Sequence, residues 1–355
     1  MKPILGAILS VSSLTLNDEE KRLFERYNPL GVALFGRNLN DIEQVKALIK
    51  NIKETIGRDD VLIALDEEGG RVDRLKQIRG HKLASQSILG KINSCQMIKN
   101  HVQIVASEMQ NVGANFNFAP VLDLDYKNTT LALKSRSFSS GAKKVSNLGK
   151  VMWKAYVKEG VCPCMKHLPG HGRAQNDPHL GLPVIEEDLK TLERDFFPFR
   201  ENKDCPAAMT AHILLKNVDD RAPITFSKKG VKEIIRGLLD YQGFLISDAL
   251  EMGALKGSVA ERVQKAIDAG LDAVCYCMGD ISGLKAVCES AGFLPDKSLE
   301  RFEKIQNVLK THRPQTNIDL LKEKYYAKVN LFGQEKIDYD ATEVLFQLNN
   351  RRKEC

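Results

Sequence analysis

The chain has 355 residues, of which 43% are hydrophobic and 28% charged, so it can bury one large core and is neither a disordered segment nor a minidomain. Its net charge of +6 is the difference between 52 lysines and arginines and 46 aspartates and glutamates. No block of five or six like charges appears in the sequence, and this argues against a nucleic-acid-binding protein built on a basic surface. The longest apolar runs, such as the one from Gly31 to Phe35, fall far short of the roughly 18 residues that a membrane span needs. We therefore expect no nucleic-acid partner and no membrane.

The N-terminus and the cysteines bear on where the protein works. Residues 1–13 contain one lysine and a short apolar run, as a signal peptide does, but the run is too short and a helix start follows at once. The eight cysteines lie mostly inside apolar runs, which is typical of buried free thiols in a reducing compartment. We expect a cytoplasmic protein.

Short apolar runs alternate with helical patterns along the chain, which is typical of βαβ units around a parallel sheet. Eight runs predict strands at residues 4–9, 31–35, 61–65, 115–122, 161–165, 207–211, 243–247 and 272–277. Asn17 or Asp18 is predicted to cap a first helix, and Asp41 a second helix that ends at Gly57. Further helices are predicted at 189–197, 228–239 and 259–269. The predicted fold class is α/β, a single TIM-type (β/α)8 barrel with a C-terminal helical appendage.

A Rossmann-like domain with a second domain is the alternative architecture. Gly69 and Gly70 lack the GxGxxG spacing that dinucleotide binding needs, and the glycines at 170 and 172 follow a proline and open no helix. We expect the catalytic barrel at residues 1–310. Residues 311–355 are more charged and lack the barrel periodicity, so we expect an appendage that is not a separate domain and carries no chemistry.

Polar side chains follow four of the predicted strands, at the positions where a barrel of this kind places its chemistry. They are Asp66, Lys166, His167, His212 and Asp248. Each alone has a structural explanation, since Asp66 and Asp248 could cap the segments that follow them and His212 could be a hydrogen-bonded core histidine. Five ionisable groups at one mouth favour an active site.

The segment 166–179 is too rich in proline, glycine and polar residues for a helix, and we predict a surface loop over the barrel mouth. A mobile loop suits a proton-transfer group that must approach and leave a substrate. Asp177 lies two residues before His179 and could orient its imidazole. Zinc could also bind His167, His171, Asp177 and His179. The HExxH signature is missing and Lys166 would oppose a cation, so we expect no metal and no cofactor.

The motif KHLPGHG at 166–172, followed by DPH at 177–179 and then LGLP, closely resembles the KH(F/I)PGHG…DSH…LP signature of glycoside hydrolase family 3 β-N-acetylglucosaminidases. Further matches follow in the family's order and span about residues 4–278: LFGRN, DEEGGRVDR, FAPVLDLD, RSF, TAHI, RAPITFS and GFLISDALEMGAL. The resemblance implies a TIM-like barrel and retaining hydrolysis of terminal β-linked N-acetylglucosamine. It also implies cytoplasmic action on peptidoglycan turnover fragments, typically N-acetylglucosaminyl-1,6-anhydro-N-acetylmuramic acid with or without stem peptide.

Carried over residue by residue, the resemblance implies that Asp248 is the catalytic nucleophile, His179 the general acid/base on a mobile loop, and Asp177 its partner. The positions it matches to sugar contacts are Asp66, Arg74, Arg136, Lys166 and His167. For His171, His212 and Met252 a packing role is equally open. We expect a monomer that binds a small saccharide or muropeptide.

Three substitutions depart from the family pattern. Ala249 stands where the family usually has a second aspartate, Leu168 replaces an aromatic residue or isoleucine, and Pro178 replaces a serine and could stiffen the loop. A β-N-acetylglucosaminide phosphorylase or a broad β-glycosidase of the same family remains an alternative. From another class, so does a catalytically silent sugar-binding barrel.

Overall fold

Eight parallel strands close into a barrel in the computed structural model, which describes residues 2–311 and 318–333. In chain order we number them β1 Leu5–Ser10, β2 Pro29–Ala33, β3 Leu62–Leu65, β4 Phe116–Asn117, β5 Cys162–Leu168, β6 Ala207–Thr210, β7 Phe244–Ala249 and β8 Ala273–Cys275. Each strand pairs with its neighbours in the chain, and β8 pairs with β1 with Val274 opposite Ala7. The predicted single (β/α)8 barrel is confirmed.

Helices follow the strands around the outside of the barrel. The longer ones are Asp18–Tyr27, Ile42–Ile56, Cys95–Val112, Ala142–Lys158, Leu189–Arg200, the π-helical Gly230–Leu238, Val259–Ala269, Ile281–Ser290, Asp296–Leu309 and Ile318–Val329. The predicted caps are present: the Asn17 side chain accepts hydrogen bonds from the N–H groups of Glu19 and Glu20, and Asp41 caps the helix that ends before Gly57. Such caps satisfy the backbone donors that a helix start leaves free.

The fourth strand is much shorter than the predicted 115–122. Pro120 has no N–H to donate to a ladder, and the regular strand ends at Asn117. The backbone nevertheless continues beside β5, because the N–H of Lys166 donates to the carbonyl of Pro120 at 3.0 Å and the N–H of Leu122 donates to the carbonyl of Lys166 at 2.7 Å.

The prediction of a surface loop over 166–179 is wrong for its first half. β5 runs three residues past its predicted end, and residues 166–172 are buried. The reason is the buried carboxylate of Asp123, which accepts hydrogen bonds from the N–H groups of His167 and His171 and so satisfies this backbone inside the protein. Residues 175, 176 and 180 are exposed, so the surface loop is confined to the second half.

Side chains of the barrel strands alternate between two packed regions. On β1, Ile8 points into the barrel interior, whereas Ala7 and Leu9 pack against the surrounding helices. The interior also holds the buried thiols of Cys162, Cys164 and Cys275. All seven cysteines in the described part of the chain are free, and no helix there is both long and apolar enough to cross a membrane.

Two short sheets lie outside the barrel. Glu67–Gly69 and Val72–Asp73 form an antiparallel hairpin directly after β3, and Val184–Ile185 pairs with Leu214–Leu215. In the hairpin, Gly69 has a φ of 87°, a left-handed conformation that favours glycine. The hairpin brings the residues after β3 back over the barrel mouth.

The C-terminal helix packs on the barrel through a buried tyrosine. Tyr325 is fully buried, and its hydroxyl accepts a hydrogen bond from the Ala84 N–H at 3.1 Å and lies 2.8 Å from His101 Nδ1. Lys322 pairs with Glu108 at 2.9 Å. Part of the predicted appendage therefore packs against the helix Cys95–Val112, while residues 312–317 and 334–355 lie outside the described part.

We expect Tyr325→Phe to lower the free energy of unfolding by about 1–3 kcal/mol, because it leaves buried polar groups without a partner. Denaturant unfolding followed by circular dichroism measures this. Tyr326→Phe is the matched control, since Tyr326 is the next residue of the same helix and its buried hydroxyl has no hydrogen-bond partner among the described residues. Equal losses in the two variants would contradict this role of the Tyr325 hydroxyl.

Candidate active site

A cavity lies at the carboxyl ends of the barrel strands. The interior side chains Phe118 and Met209 contribute to its wall. Seven of the eight predicted site residues line it: Asp66, Arg74, Arg136, Lys166, His167, His179 and Asp248. Asp177 does not line the cavity but contacts His179. The chain thus brings residues separated by 182 positions, from Asp66 to Asp248, into one site.

Four charged side chains form one wall of the site, and two of them, Glu68 and Lys166, are buried. Lys166 Nζ lies 2.7 Å from Asp66 Oδ1 and 2.6 Å from Glu68 Oε1. Arg136 binds Glu68 through two hydrogen bonds of 2.8 Å. Burial would raise the pKa of Glu68, but the Arg136 and Lys166 cations hold that pKa well below its usual range. Glu68 is therefore an ionised counter-ion shared by two predicted sugar-binding cations.

Arg74 completes this wall. Its guanidinium lies 3.5 Å from Asp66 Oδ2 and stacks over the ring of Phe35, with 5.6 Å from Cζ to the ring centroid. Arg71 ties the hairpin to the segment that carries Arg136, because it donates to the backbone carbonyls of Leu131 and Ala132 at 2.7 Å each. The cations on this wall are thus held by both packing and charge.

A buried aspartate orients the histidine at the end of β5. Asp123 Oδ2 lies 2.6 Å from His167 Nδ1, and Asp123 Oδ1 accepts the N–H of His171 at 2.6 Å. Burial raises the pKa of Asp123, yet its contacts with the two histidines lower it below the ordinary value. The His167 ring is therefore held in one orientation. Its Nδ1 atom contacts Asp123, and its Nε2 atom is the nitrogen on the other side of the ring.

The neighbouring His171 is an isolated imidazole. It is buried, neither ring nitrogen has a hydrogen-bond partner within the described residues, and burial lowers its pKa to about 4. Its ring packs edge-on against His167 at 5.8 Å between centroids. At neutral pH His171 is uncharged.

Asp248 lies at the carboxyl end of β7 and is partly open to the cavity. Its Oδ1 accepts the N–H of Ala249 at 2.8 Å. Burial alone would raise the pKa of Asp248, but His167, His212, the Ala249 N–H and Lys166 together lower it below the ordinary value. The group is therefore an ionised carboxylate with access to the cavity, as a nucleophile must be.

The second Asp–His pair lies on the surface half of the loop. His179 Nδ1 is 2.7 Å from Asp177 Oδ1, and the same oxygen accepts the His179 N–H at 2.9 Å. A carboxylate held at Nδ1 fixes the tautomer and stabilises the protonated ring. Nε2 is then the nitrogen available for proton transfer.

His212 is a hydrogen-bonded core histidine, which was the structural explanation considered for it. Nδ1 contacts the hydroxyl of Thr225 at 2.8 Å and Nε2 contacts the carbonyl of Ala249 at 3.0 Å, so both nitrogens are engaged. It supports the backbone next to Asp248. Met252, the other residue of open role, lines the cavity.

Three site residues were missed by sequence reasoning: Glu68, Asp123 and Glu251. Glu68 and Asp123 lie in the motifs DEEGGRVDR and FAPVLDLD. A single sequence does not show that a carboxylate is buried and acts as a counter-ion. Glu251 lines the cavity and accepts the Cys277 N–H at 3.1 Å. Burial, aided by the charge of Asp248, raises its pKa to about 7.

The proposed zinc ligands do not form one cluster. His167 pairs with Asp123, whereas His179 pairs with Asp177. In residues 2–311 and 318–333, no three His, Cys, Asp or Glu side chains lie close enough together to hold a metal ion.

Known proteins are similar to this chain in sequence. Residues 5–308 match the glycosyl hydrolase family 3 N-terminal domain. A β-hexosaminidase of Bordetella pertussis is 34% identical over 297 residues, which cover 79% of this chain and 83% of that protein. A β-hexosaminidase of Neisseria gonorrhoeae is 35% identical over 280 residues, which cover 75% and 76% of the two chains.

Solved structures give the same result. NagZ from Neisseria gonorrhoeae in complex with N-trifluoroacetyl-D-glucosamine superposes with a TM-score of 0.82 at 28% identity, over 92% of this chain and 98% of that chain. A family 3 β-N-acetylglucosaminidase from Paenibacillus superposes with a TM-score of 0.82 at 26% identity, over 91% and 67%. The family match covers the whole barrel, and the barrel mouth carries the cavity described above. The chain therefore belongs to glycosyl hydrolase family 3 and is a glycoside hydrolase whose relatives in that family are β-hexosaminidases.

Proposed function

We propose that the enzyme is a retaining exo-β-N-acetylglucosaminidase that releases terminal β-linked N-acetylglucosamine. The observation that carries the proposal is that the ionised Asp248 and the Asp177-bound His179 flank one cavity at the barrel mouth. The relatives named β-hexosaminidase and the NagZ complex with N-trifluoroacetyl-D-glucosamine support the identity of the sugar. Barrel side chains close the cavity on its inner side, and such a cavity supports cleavage of a sugar at the end of a saccharide chain.

In the first step, Asp248 attacks the anomeric carbon and the bond from that carbon to the leaving oxygen breaks. His179 gives the Nε2 proton to the leaving oxygen, so that a glycosyl-aspartate ester forms. In the second step, His179 takes a proton from water while the water oxygen attacks the anomeric carbon and the ester bond breaks. Two inversions give net retention. Asp177 stabilises the charged imidazole before the first step and after the second.

Asp66, Arg74, Arg136, Lys166 and His167 are proposed to bind the sugar hydroxyl and acetamido groups. Each of these side chains is already held by an ion pair or hydrogen bond to a charged group of the site, so the donors and acceptors are in place before the sugar enters. Binding groups fixed in this way supply orientation at low cost in entropy.

The proposed natural substrates are peptidoglycan turnover fragments, N-acetylglucosaminyl-1,6-anhydro-N-acetylmuramic acid with or without stem peptide, and the proposed location is the cytoplasm. The sequence resemblance supports the substrate, and the free thiols, six of them buried, support a reducing compartment. We propose a monomer, which sedimentation of the purified protein would test.

A phosphorylase is the second candidate. The proposed acid/base is an imidazole, which does not repel an anionic acceptor as a carboxylate would. Product analysis with and without phosphate separates the two, since a phosphorylase gives N-acetylglucosamine 1-phosphate. A broad β-glycosidase would cleave an aryl β-glucoside equally well, and a silent sugar-binding barrel would release no product from either.

We expect Asp248→Ala to lower kcat for an aryl β-N-acetylglucosaminide by about 10⁴-fold or more, because the covalent step loses its nucleophile. Release of the phenol, with binding of N-acetylglucosamine measured by calorimetry, checks this. NMR of the first product from the unmodified enzyme should show the β anomer. Turnover by the alanine variant near the original rate would show that another group is the nucleophile.

We expect His179→Ala to lose about 10²- to 10⁴-fold in kcat/KM with a sugar leaving group, because the acid is absent. With a good phenolic leaving group, which needs little protonation, the loss should be much smaller. The measurement is the ratio of kcat/KM on the two substrates, for the variant and for the unmodified enzyme. Equal losses on both substrates would contradict the acid role.

We expect Glu68→Gln to lower kcat/KM by about 10- to 100-fold, because Lys166 and Arg136 lose their shared counter-ion and shift. Glu67→Gln is the matched control. Glu67 is the adjacent buried carboxyl of the same hairpin, but it pairs with Arg79 and not with Lys166 or Arg136. Kinetics at a temperature well below both melting points compare the variants, and equal losses of activity in the two would refute a specific role for Glu68.

A further inference from the structure

The loop that carries His179 is docked on the segment that follows Asp248. The N–H of Gly253 donates to the carbonyl of His179 at 3.2 Å, and the N–H of Ala254 donates to the carbonyl of Pro178 at 2.9 Å. Gly253 lies five residues after Asp248. One short segment therefore carries both the proposed nucleophile and the backbone donors that hold the proposed acid/base.

Gly253 is placed where a side chain has no room. A Cβ atom at this position would overlap the carbonyl oxygen of His179 and lie 3.2 Å from its carbonyl carbon and 3.3 Å from the carbonyl carbon of Leu180. These are backbone atoms, which cannot swing away as the end of a flexible side chain can. The φ of Gly253 is outside the left-handed region, so the close approach of the loop is the feature that requires glycine.

The loop is compact at this contact. The N–H groups of Leu180 and Gly181 both donate to the carbonyl of Asp177, at 3.0 and 3.1 Å. Pro178 is buried and lines the cavity together with His179, whereas Leu180 is exposed. A displacement of the His179 peptide would therefore carry the Asp177–His179 pair with it as a unit.

We propose that Gly253 is a positioning residue for the general acid/base, one whose missing side chain lets the His179 peptide dock beside the nucleophile. This inference rests on the proposed roles of His179 and Asp248. It assigns to Gly253 an effect on proton transfer, and none on nucleophilic attack.

Gly253→Ala tests this with two substrates. A 2,4-dinitrophenyl β-N-acetylglucosaminide needs little acid assistance, so glycosylation of Asp248 should continue and a burst of dinitrophenolate should count the active sites. Hydrolysis of the ester should become slow, because water needs a base. Added azide attacks the anomeric carbon, the ester bond breaks to free the Asp248 carboxylate, and a β-glycosyl azide forms. Azide has no proton to lose and therefore needs no base.

We expect Gly253→Ala to lower kcat/KM for N,N′-diacetylchitobiose by about 10²-fold, since small misplacements of a catalytic group have effects of that size. Azide should accelerate turnover of the dinitrophenyl substrate and give the glycosyl azide. Gly181→Ala is the matched control, because the added Cβ on the same loop meets nothing within 4 Å. Its rates should stay within about twofold of the original, as surface substitutions usually do.

Normal cleavage of chitobiose by Gly253→Ala would overturn the inference, and so would loss of the dinitrophenolate burst, which would place the damage on Asp248 or on the fold. The His179→Ala variant, assayed in parallel, distinguishes failure of the Gly253 inference from failure of the proposed function. If that variant lacks both the leaving-group effect and azide rescue, the proposed function fails. If it shows both effects and Gly253→Ala shows neither, only the role of Gly253 fails.

Discussion

The site depends on one buried carboxylate that pairs with two cations. Lys166 at the end of β5 and Arg136 in the loop after β4 both lie against Glu68, which the hairpin after β3 supplies. Charges taken out of water must be paired, because an unpaired one costs several kcal/mol. Three chain segments are thereby held at fixed distances around the cavity. Glu68 belongs to the motif DEEGGRVDR. In that motif Asp66, which directly follows a predicted strand, was the residue that the sequence indicated as a site residue.

Two Asp–His pairs serve the cavity, and their surroundings differ. Asp123 and His167 are buried and share hydrogen bonds with the strand backbone, so that the ring cannot reorient. Asp177 and His179 lie on a loop with exposed residues, and their backbone docks through bonds to Gly253 and Ala254. The same pair of residue types is therefore buried in one place and partly exposed in the other. The second pair is the one in which we propose the general acid/base.

Several features of the fold were predictable from local chemistry, and others were not. The cap of the first helix at Asn17 followed from side-chain chemistry within three residues. The fourth strand was predicted too long because the apolar run was continued through Pro120, which has no N–H to donate to the ladder. The start of the 166–179 segment was predicted to be exposed because its glycines and polar residues are typical of loops. Its burial depends on Asp123, more than 40 positions earlier, which no local pattern indicates.

Eight apolar runs separated by capped helices were enough to predict the barrel, and the residues after those runs indicated which ionisable groups end the strands. The motif around residues 166–179 was sufficient to indicate the family. The fold alone shows that Asp66 and Glu68, and not solvent, balance Lys166. It also shows that His212 supports the backbone and that Gly253 lies against His179. These are contacts between segments far apart in the chain, and their energies depend on distance and burial, which a sequence does not contain.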